Sequence, residues 1–468
     1  MTKKDYLALS VLLSAGFVTI FDLFVVNIAI ANIQLHLQAS FFQISLVIVT
    51  YEIGFGLLLI TGGRLGDLFG RKRLFKLGIL AFTLTSLLCG MASTATFLIF
   101  ARFLQGLSAA LLFPQVYASI RVSFDGDSSR QAFGLLGMTL GFAAIAGQTL
   151  GGWITSANLW DLQWRSIFLV NVPIGLLALI FSGYLNESIA QEKMGLDLTG
   201  VALSSIGISA LLLPILMGPT LGWPIWCWAL LFLACLVLLQ FYRHEKRHAA
   251  KGKTPLFNFD LLKNTQFSLG CLLVLFVYST SSSFFLVFAL FLQNGLGFNP
   301  FDAGLIFAPA SIGFVLSSLN APYWIKRFGS KAITIGGLLY MLSFIALIVA
   351  ISALSTEALL SMKALFVIFP ILIFLGYGQG LVMTPLLNIV LAFVDVRFAG
   401  MASGVIATLQ QIGAAFGVAV ISVLVQWHFN GIDTSPFVTY QNAFVHSMLY
   451  NVAATFITFY LLKKLLRK

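Results

Sequence analysis

The chain has 468 residues, of which 59% are hydrophobic and only 9% charged, with a net charge of +11 and a mean hydropathy of +0.98. A water-soluble domain carries charge on roughly a quarter of its residues, so this composition excludes a soluble globular enzyme and makes lipid the main solvent. The basic excess does not point to nucleic acid, because it sits in short segments between long apolar runs.

A bilayer core about 30 Å thick takes about 20 apolar residues at 1.5 Å each. On that measure the sequence predicts an all-α membrane protein of about fourteen spans, near 7–30, 41–61, 77–94, 97–119, 132–155, 166–185, 199–218, 224–242, 266–292, 303–325, 332–353, 364–391, 401–428 and 440–462. The first run follows Lys3 and Lys4 like the front of a signal peptide. It is too long for one and is interrupted by Asp22, so it is read as a retained helix. Its residues Ala15, Thr19, Asp22, Val26 and Ala29 share one face at three- and four-residue spacing. A small, polar face of this kind suits a cavity lining, with Thr19 and Asn27 as candidates.

Three charges fall inside spans: Asp22 in the first, Glu52 in the second and Arg102 in the fourth. Each costs at least about 2.5–3.5 kcal/mol to insert, and such residues are functional by default. At 1.5 Å per residue, Asp22 and Arg102 lie about 10 and about 8 Å from the outer ends of their helices, and Glu52 is deeper at about 16 Å. Asp22 and Arg102 therefore pair if their helices are neighbours, either as a coupling element or as an ion pair that only fixes packing. Glu52 has no partner in the sequence, and a desolvated carboxylate there suits a proton or a cationic substrate.

Between the second and third spans, the segment from Gly63 to Arg73 combines Gly63, Asp67, Gly70 and Arg71, which reads as a tight turn with a charge lock at an inner gate. The fifth span has small residues at Gly147, Gly151 and Gly152 that let helices approach closely, and Gln148 is a candidate to face the cavity. In the ninth span Phe284, Phe288 and Phe291 share a face that can stack on an aromatic or cationic substrate. Phe is also an ordinary apolar residue of membrane helices, so packing remains the alternative.

The longest hydrophilic stretch, 243–265, contains Lys251-Gly252-Lys253-Thr254. It is not a P-loop, because Arg247 stands where the first Gly belongs and no strand precedes it. Transport energy must then come from an ion gradient or from the substrate's own gradient. Cys89, Cys227, Cys235 and Cys271 read as small apolar residues. His36, His244, His248, His428 and His446 read as scattered, without metal spacing, so no metal or cofactor is expected. Of the 27 Lys and Arg, only Arg165 and Lys363 fall on one side of the membrane, with Arg102 inside a span. The positive-inside rule then places both termini in the cytoplasm.

Two halves are visible. Phe69-Gly70-Arg71-Lys72 is echoed by Phe328-Gly329-Ser330-Lys331, and Gln105-Gly106-Leu107 by Gln379-Gly380-Leu381. Such repeats are typical of secondary transporters, with the site between halves near the midplane. The expected domains are a six-helix bundle over 1–186, a two-helix linker insertion with a cytoplasmic loop over 187–265, and a second six-helix bundle over 266–468.

Several of these segments resemble those of a known family. Gly63-Arg64-Leu65-Gly66-Asp67-Leu68-Phe69-Gly70-Arg71-Lys72-Arg73 resembles the signature loop of the major facilitator superfamily, with Leu68 where that family usually has a basic residue. Arg102-Phe103-Leu104-Gln105-Gly106 is similar to its fourth-helix motif, whose Arg is tied to proton coupling. Gly147-Gln148-Thr149-Leu150-Gly151-Gly152 resembles its antiporter motif, with Gln148 in place of the usual Pro. Phe21 to Ala29, Trp164 to Pro173, and Gln293 with the run from Pro300 to Pro309 resemble the fourteen-helix drug:proton antiporter branch. The resemblance implies a multidrug efflux transporter, not an enzyme. It would be a multi-pass protein of the bacterial inner membrane, with no cofactor and with the proton as coupling ion. It would exchange protons for a lipophilic, cationic small molecule and work as a monomer. The alternatives are an exporter of one endogenous metabolite or lipid, and a non-transporting scaffold or sensor.

Overall fold

A computed structural model describes every residue except 1, 158–160, 190–194, 196, 354–361, 396–397, 430–435 and 466–468, together with the side chains of most residues inside the helices. The described elements are all helical. In chain order they are α1 (Lys3–Leu37), α2 (Phe41–Phe69), α3 (Arg71–Gly90), α4 (Ala95–Ser123), α5 (Gly126–Ala157), α6 (Ser166–Leu169), α7 (Asn171–Phe181), α8 (Leu198–Leu221), α9 (Ile225–Ala250), α10 (Thr265–Leu290), α11 (Pro300–Phe328), α12 (Ser330–Ala353), α13 (Met362–Ala392), α14 (Ala399–Phe429) and α15 (Pro436–Leu465). Thirteen described stretches are long and apolar enough to cross a membrane. The short α6 and α7 act as one of these, Gln163–Tyr184. The fourteenth expected span corresponds to α5, a helix of 32 residues.

The helix starts follow local chemistry. Thr2 and Ser40 form reciprocal capping boxes with Asp5 and Gln43, which satisfy donors that have no partner inside a helix. Gly70, at φ +101, joins α2 to α3, and Gly329, at φ +58, joins α11 to α12. The echo seen in the sequence thus marks equivalent corners, where a side chain would strain the backbone.

The helices pack into two units. Unit 1 comprises Met1–Ala132, Ala146–Ser268 and Asn388–Gln411, and unit 2 comprises Phe133–Ile145, Leu269–Leu387 and Ile412–Lys468. In unit 1, α2 lies along α4 at backbone distance. A Cβ on Gly62 would stand 2.3 Å from the Ala110 carbonyl, and one on Gly106 2.2 Å from that of Tyr51. Unit 2 repeats the device between α11 and α13, where a Cβ on Gly313 would stand 2.0 Å from the Ile373 carbonyl. Lipid gives helices no hydrophobic reason to associate, so close backbone packing must supply the attraction. The pair α8 and α9 also belongs to unit 1. The Ser205 hydroxyl of α8 donates to the Leu57 carbonyl of α2 at 3.1 Å, while α9 exposes Trp228, Phe232 and Leu236 as a lipid-facing helix must.

The core of unit 2 is aromatic. Phe284, Phe288 and Phe291 are 2%, 0% and 1% exposed. Phe284 stacks on Phe288 at 5.3 Å, Phe288 meets Phe307 edge-on at 4.9 Å, and Phe291 meets Phe444 at 5.4 Å. This corrects the expectation that the three rings line a cavity. Their shared face is filled by Phe307, Phe344 and Phe444 from neighbouring helices, and edge-to-face packing is itself worth about 0.5–1.5 kcal/mol per pair.

Candidate functional site: a buried charge cluster in unit 1

Among the described residues, every buried charged side chain belongs to unit 1: Asp22, Arg64, Asp67, Arg71, Arg102, Asp197 and Glu245. The buried polar groups of unit 2 are neutral, as in the Ser283–Asn451 bond at 2.5 Å and the Ser318–Thr384 bond at 2.8 Å. Among the described residues, buried charge is therefore concentrated in unit 1.

Its centre is the ion pair between Asp22 of α1 and Arg102 of α4, which are 0% and 1% exposed. Matched depth along two helices had suggested this pair, and the packing of α1 against α4 brings it together. Three neutral groups complete the site. Gln105, one turn after Arg102, donates to Asp22 Oδ1 at 3.0 Å and accepts from Arg102 at 2.7 Å. Asn171, at the start of α7, donates to the same carboxylate oxygen at 2.8 Å. Gln105 also donates to Ser86 of α3 at 2.9 Å. The Arg102 guanidinium donates to the Val47 carbonyl at 3.2 Å and lies 4.2 Å over the Tyr51 ring.

This geometry has a chemical consequence. The Asp22 carboxylate accepts from three side chains, so its charge is well solvated inside the protein. Arg102 has alternatives: if Asp22 becomes neutral, the Gln105 oxygen, the Val47 carbonyl and the Tyr51 face remain. A buried pair normally leaves a stranded charge when one partner is lost, and this site is built to soften that loss.

The other expected residues divide. Thr19 is buried, and its hydroxyl is spent on the Ala15 carbonyl at 2.8 Å, so it lines no cavity. Its own carbonyl receives the Tyr51 hydroxyl at 3.0 Å, which fixes the ring beneath Arg102. Glu52 is half-buried beside Tyr51 and has no hydrogen bond or ion pair among the described residues. Gly147 and Gly151 pack on α1 around Asp22: a Cβ on Gly147 would stand 3.0 Å from the Phe21 carbonyl, and one on Gly151 2.6 Å from Val25. The side chains of Asn27 and Gln148, and Gly152, lie outside the described set.

A second cluster occupies the α2–α3 corner. Asp67 pairs with Arg71 at 2.5 Å, and both are buried. The same carboxylate accepts the backbone N–H groups of Gly400 at 3.2 Å and Met401 at 3.0 Å, at the start of α14. An anion at a helix N-terminus is favourable because unpaired N–H groups and the helix dipole converge there. Arg71 continues to Ser188 Oγ at 2.6 Å, and Glu187 accepts the Lys72 N–H at 3.1 Å. These contacts are made by Asp67, Arg71 and the α14 start, without Leu68. A Cβ on Gly63 would stand 2.1 Å from the Gly400 carbonyl. Gly63→Ala is therefore expected to push α14 away from Asp67 and to reduce transport at least about tenfold, since 1.4 kcal/mol suffices for that factor. Transport assays at matched membrane protein levels check it, and an unimpaired variant would show the contact to be dispensable.

Gln105, Asn171, Tyr51 and Glu187 were not singled out by the sequence. Gln105 and Asn171 lie within the quoted motifs, but a neutral amide in an apolar helix signals no role until its partner is seen. His244 and His248, set aside on sequence, converge with Asp197.

Comparison with known proteins identifies the family. The family model described as Major Facilitator Superfamily matches residues 12–194 and 193–418. The chain is 35% identical over 423 residues to a protein of Streptomyces coelicolor named a probable actinorhodin transporter, covering 90% of this chain and 72% of that one. It is 32% identical to the puromycin resistance protein pur8 of Streptomyces alboniger, covering 90% and 82%. The crystal structure of the human organic anion transporter MFSD10 superposes with a TM-score of 0.66 at 14% identity, covering 99% of this chain and 100% of that one.

Proposed function

The chain belongs to the major facilitator superfamily, as a multi-pass membrane transporter and not an enzyme, and from that premise we propose that it exports lipophilic, cationic small molecules in exchange for protons. The observation that carries the reading is the Asp22–Arg102 pair, buried with Gln105 and Asn171. A proton arriving at Asp22 cancels its charge while Arg102 keeps its other partners, so the contact between α1 and α4 can loosen and reform during alternating access. Relatives named for antibiotic transport and resistance support export as the direction. One proton moving down about 150 mV releases about 3.5 kcal/mol, enough for roughly a 300-fold gradient of a neutral compound, whereas one-for-one exchange with a monovalent cation cancels the potential and leaves the pH gradient as the drive. The charge asymmetry supports a location in the bacterial inner membrane with both termini on the cytoplasmic side.

Glu52 is the cation-recognising residue in this scheme, because it is a half-buried carboxylate with no hydrogen bond or ion pair among the described residues. Glu52→Gln is expected to weaken transport of cationic compounds about tenfold, the equivalent of about 1.4 kcal/mol, and to spare neutral ones. Parallel uptake assays with matched cationic and neutral dyes check this. Equal losses for both would remove Glu52 from cation recognition.

A second reading, export of one secondary metabolite, is favoured by the relative named for a single antibiotic. Proteoliposomes with an imposed pH gradient, tested against cationic dyes, biocides and neutral drugs, distinguish the two. Proton-driven movement of several cations supports the broad reading, movement of one compound supports the narrow one, and no dependence on the gradient rejects proton exchange.

A further inference from the structure

At one end of the α8–α9 pair, three side chains from two helices point at each other. Asp197 caps α8: its Oδ1 accepts the Gly200 N–H at 3.0 Å. Its other oxygen, Oδ2, lies 2.7 Å from His244 Nε2 and 3.7 Å from His248 Nδ1. The two histidines stand one turn apart on α9, the spacing at which helical side chains share a face. Their potential ligand atoms, with that of Asp197, all lie within 4.8 Å of one another.

A fourth group is adjacent. Glu245, next to His244, is 1% exposed. Its Oε2 accepts the Phe257 N–H at 3.3 Å, and its Oε1 has no hydrogen-bond partner. That oxygen and Asp197 Oδ2 both lie against Gly200, 2.2 and 3.0 Å from where a Cβ would stand. A buried carboxylate oxygen without a donor is costly, and a cation beside it offsets that cost. Glu245 also interacts electrostatically with the buried Arg64, which limits but does not replace a ligand at Oε1.

We propose that Asp197, His244 and His248 form a binding site for a divalent transition-metal ion, zinc in the first place, that ties the ends of α8 and α9 together. Two imidazoles and a carboxylate are the donor set such ions prefer, whereas magnesium and calcium select oxygen ligands. Ligand bonds of about 2.0–2.2 Å in a tetrahedral site place donor atoms about 3.3 Å apart. The observed 2.7 and 3.7 Å bracket that value, so small side-chain rotations suffice. The ion takes the place of the proton now shared between His244 and Asp197, and the fourth position is open to water or to Glu245. The site stands apart from the Asp22–Arg102 cluster, and it depends on no assumption about the transported compound.

The test uses the full chain, purified in detergent without a histidine tag, and titrated with zinc chloride by calorimetry and with a chromophoric competitor. One zinc per chain and a raised unfolding midpoint are expected, with no competition from magnesium. His244→Ala/His248→Ala is expected to weaken binding on the order of 100-fold. His248→Gln leaves the His244–Asp197 bond in place, so its folding is not at risk, and it is expected to lose at least about tenfold. His428→Gln/His446→Gln should bind as the parent does. Absence of stoichiometric zinc, or binding unchanged in both α9 variants, overturns the proposal.

Discussion

Arg102→Ala is expected to destabilise unit 1 by about 3–5 kcal/mol, because it strands a buried carboxylate. Asp22 would keep Gln105 and Asn171 as donors but lose the counter-charge that Arg102 supplies. The unfolding midpoint in detergent should fall accordingly. Asp22→Leu/Arg102→Leu separates stability from function, since apolar replacement of a whole buried pair is often neutral or stabilising. The double variant should recover most of the lost stability and still pump nothing against a gradient. A double variant that pumps would reduce the pair to a packing device. One as unstable as Arg102→Ala would show that the surrounding amides, and not the stranded charge, set the cost.

Asp67→Ala should impair transport by a larger factor than any change at an exposed charge. The substitution removes the partner of buried Arg71 and the acceptor for two N–H groups of α14. Loss of a helix cap alone costs about 0.5–2 kcal/mol, and a charge-assisted bond adds about 1.5–3. If these contacts exist in only one of the alternating states, that state loses roughly 2–5 kcal/mol, which shifts the conformational equilibrium about 30- to several-thousand-fold. Transport is expected to fall by at least an order of magnitude with the protein still in the membrane. Asp67→Glu, which keeps the charge, should retain part of the activity. Full activity in Asp67→Ala would reject the lock.

Much of this arrangement was legible in the sequence, for definable reasons. Span positions follow from the length of apolar runs, and the repeat from shared order of Gly70 with Gly329 and Gln105 with Gln379. The Asp22–Arg102 pair was legible because charge in lipid is costly and helix rise converts residue number into depth. Other features depended on packing. Phe284, Phe288 and Phe291 share a helix face, but periodicity alone cannot say whether that face meets lipid, substrate or Phe307 and Phe444. The clamp of Glu187 and Ser188 on the α3 start comes from a loop with no periodic signal. His244 and His248 read as scattered in the sequence, because Asp197, 47 residues before His244, joins them only once α8 and α9 are packed.

The proposed function makes Asp22 the carrier of the proton that drives export. The measurement is transport by Asp22→Asn in proteoliposomes, comparing accumulation driven by an imposed pH gradient with counterflow exchange of the same compound without one. The substitution keeps the shape of the side chain and removes its charge. Gradient-driven accumulation is expected to fall to background while counterflow continues within about threefold of wild type, a difference of less than about 0.7 kcal/mol in the remaining steps. Accumulation at the wild-type rate would contradict it.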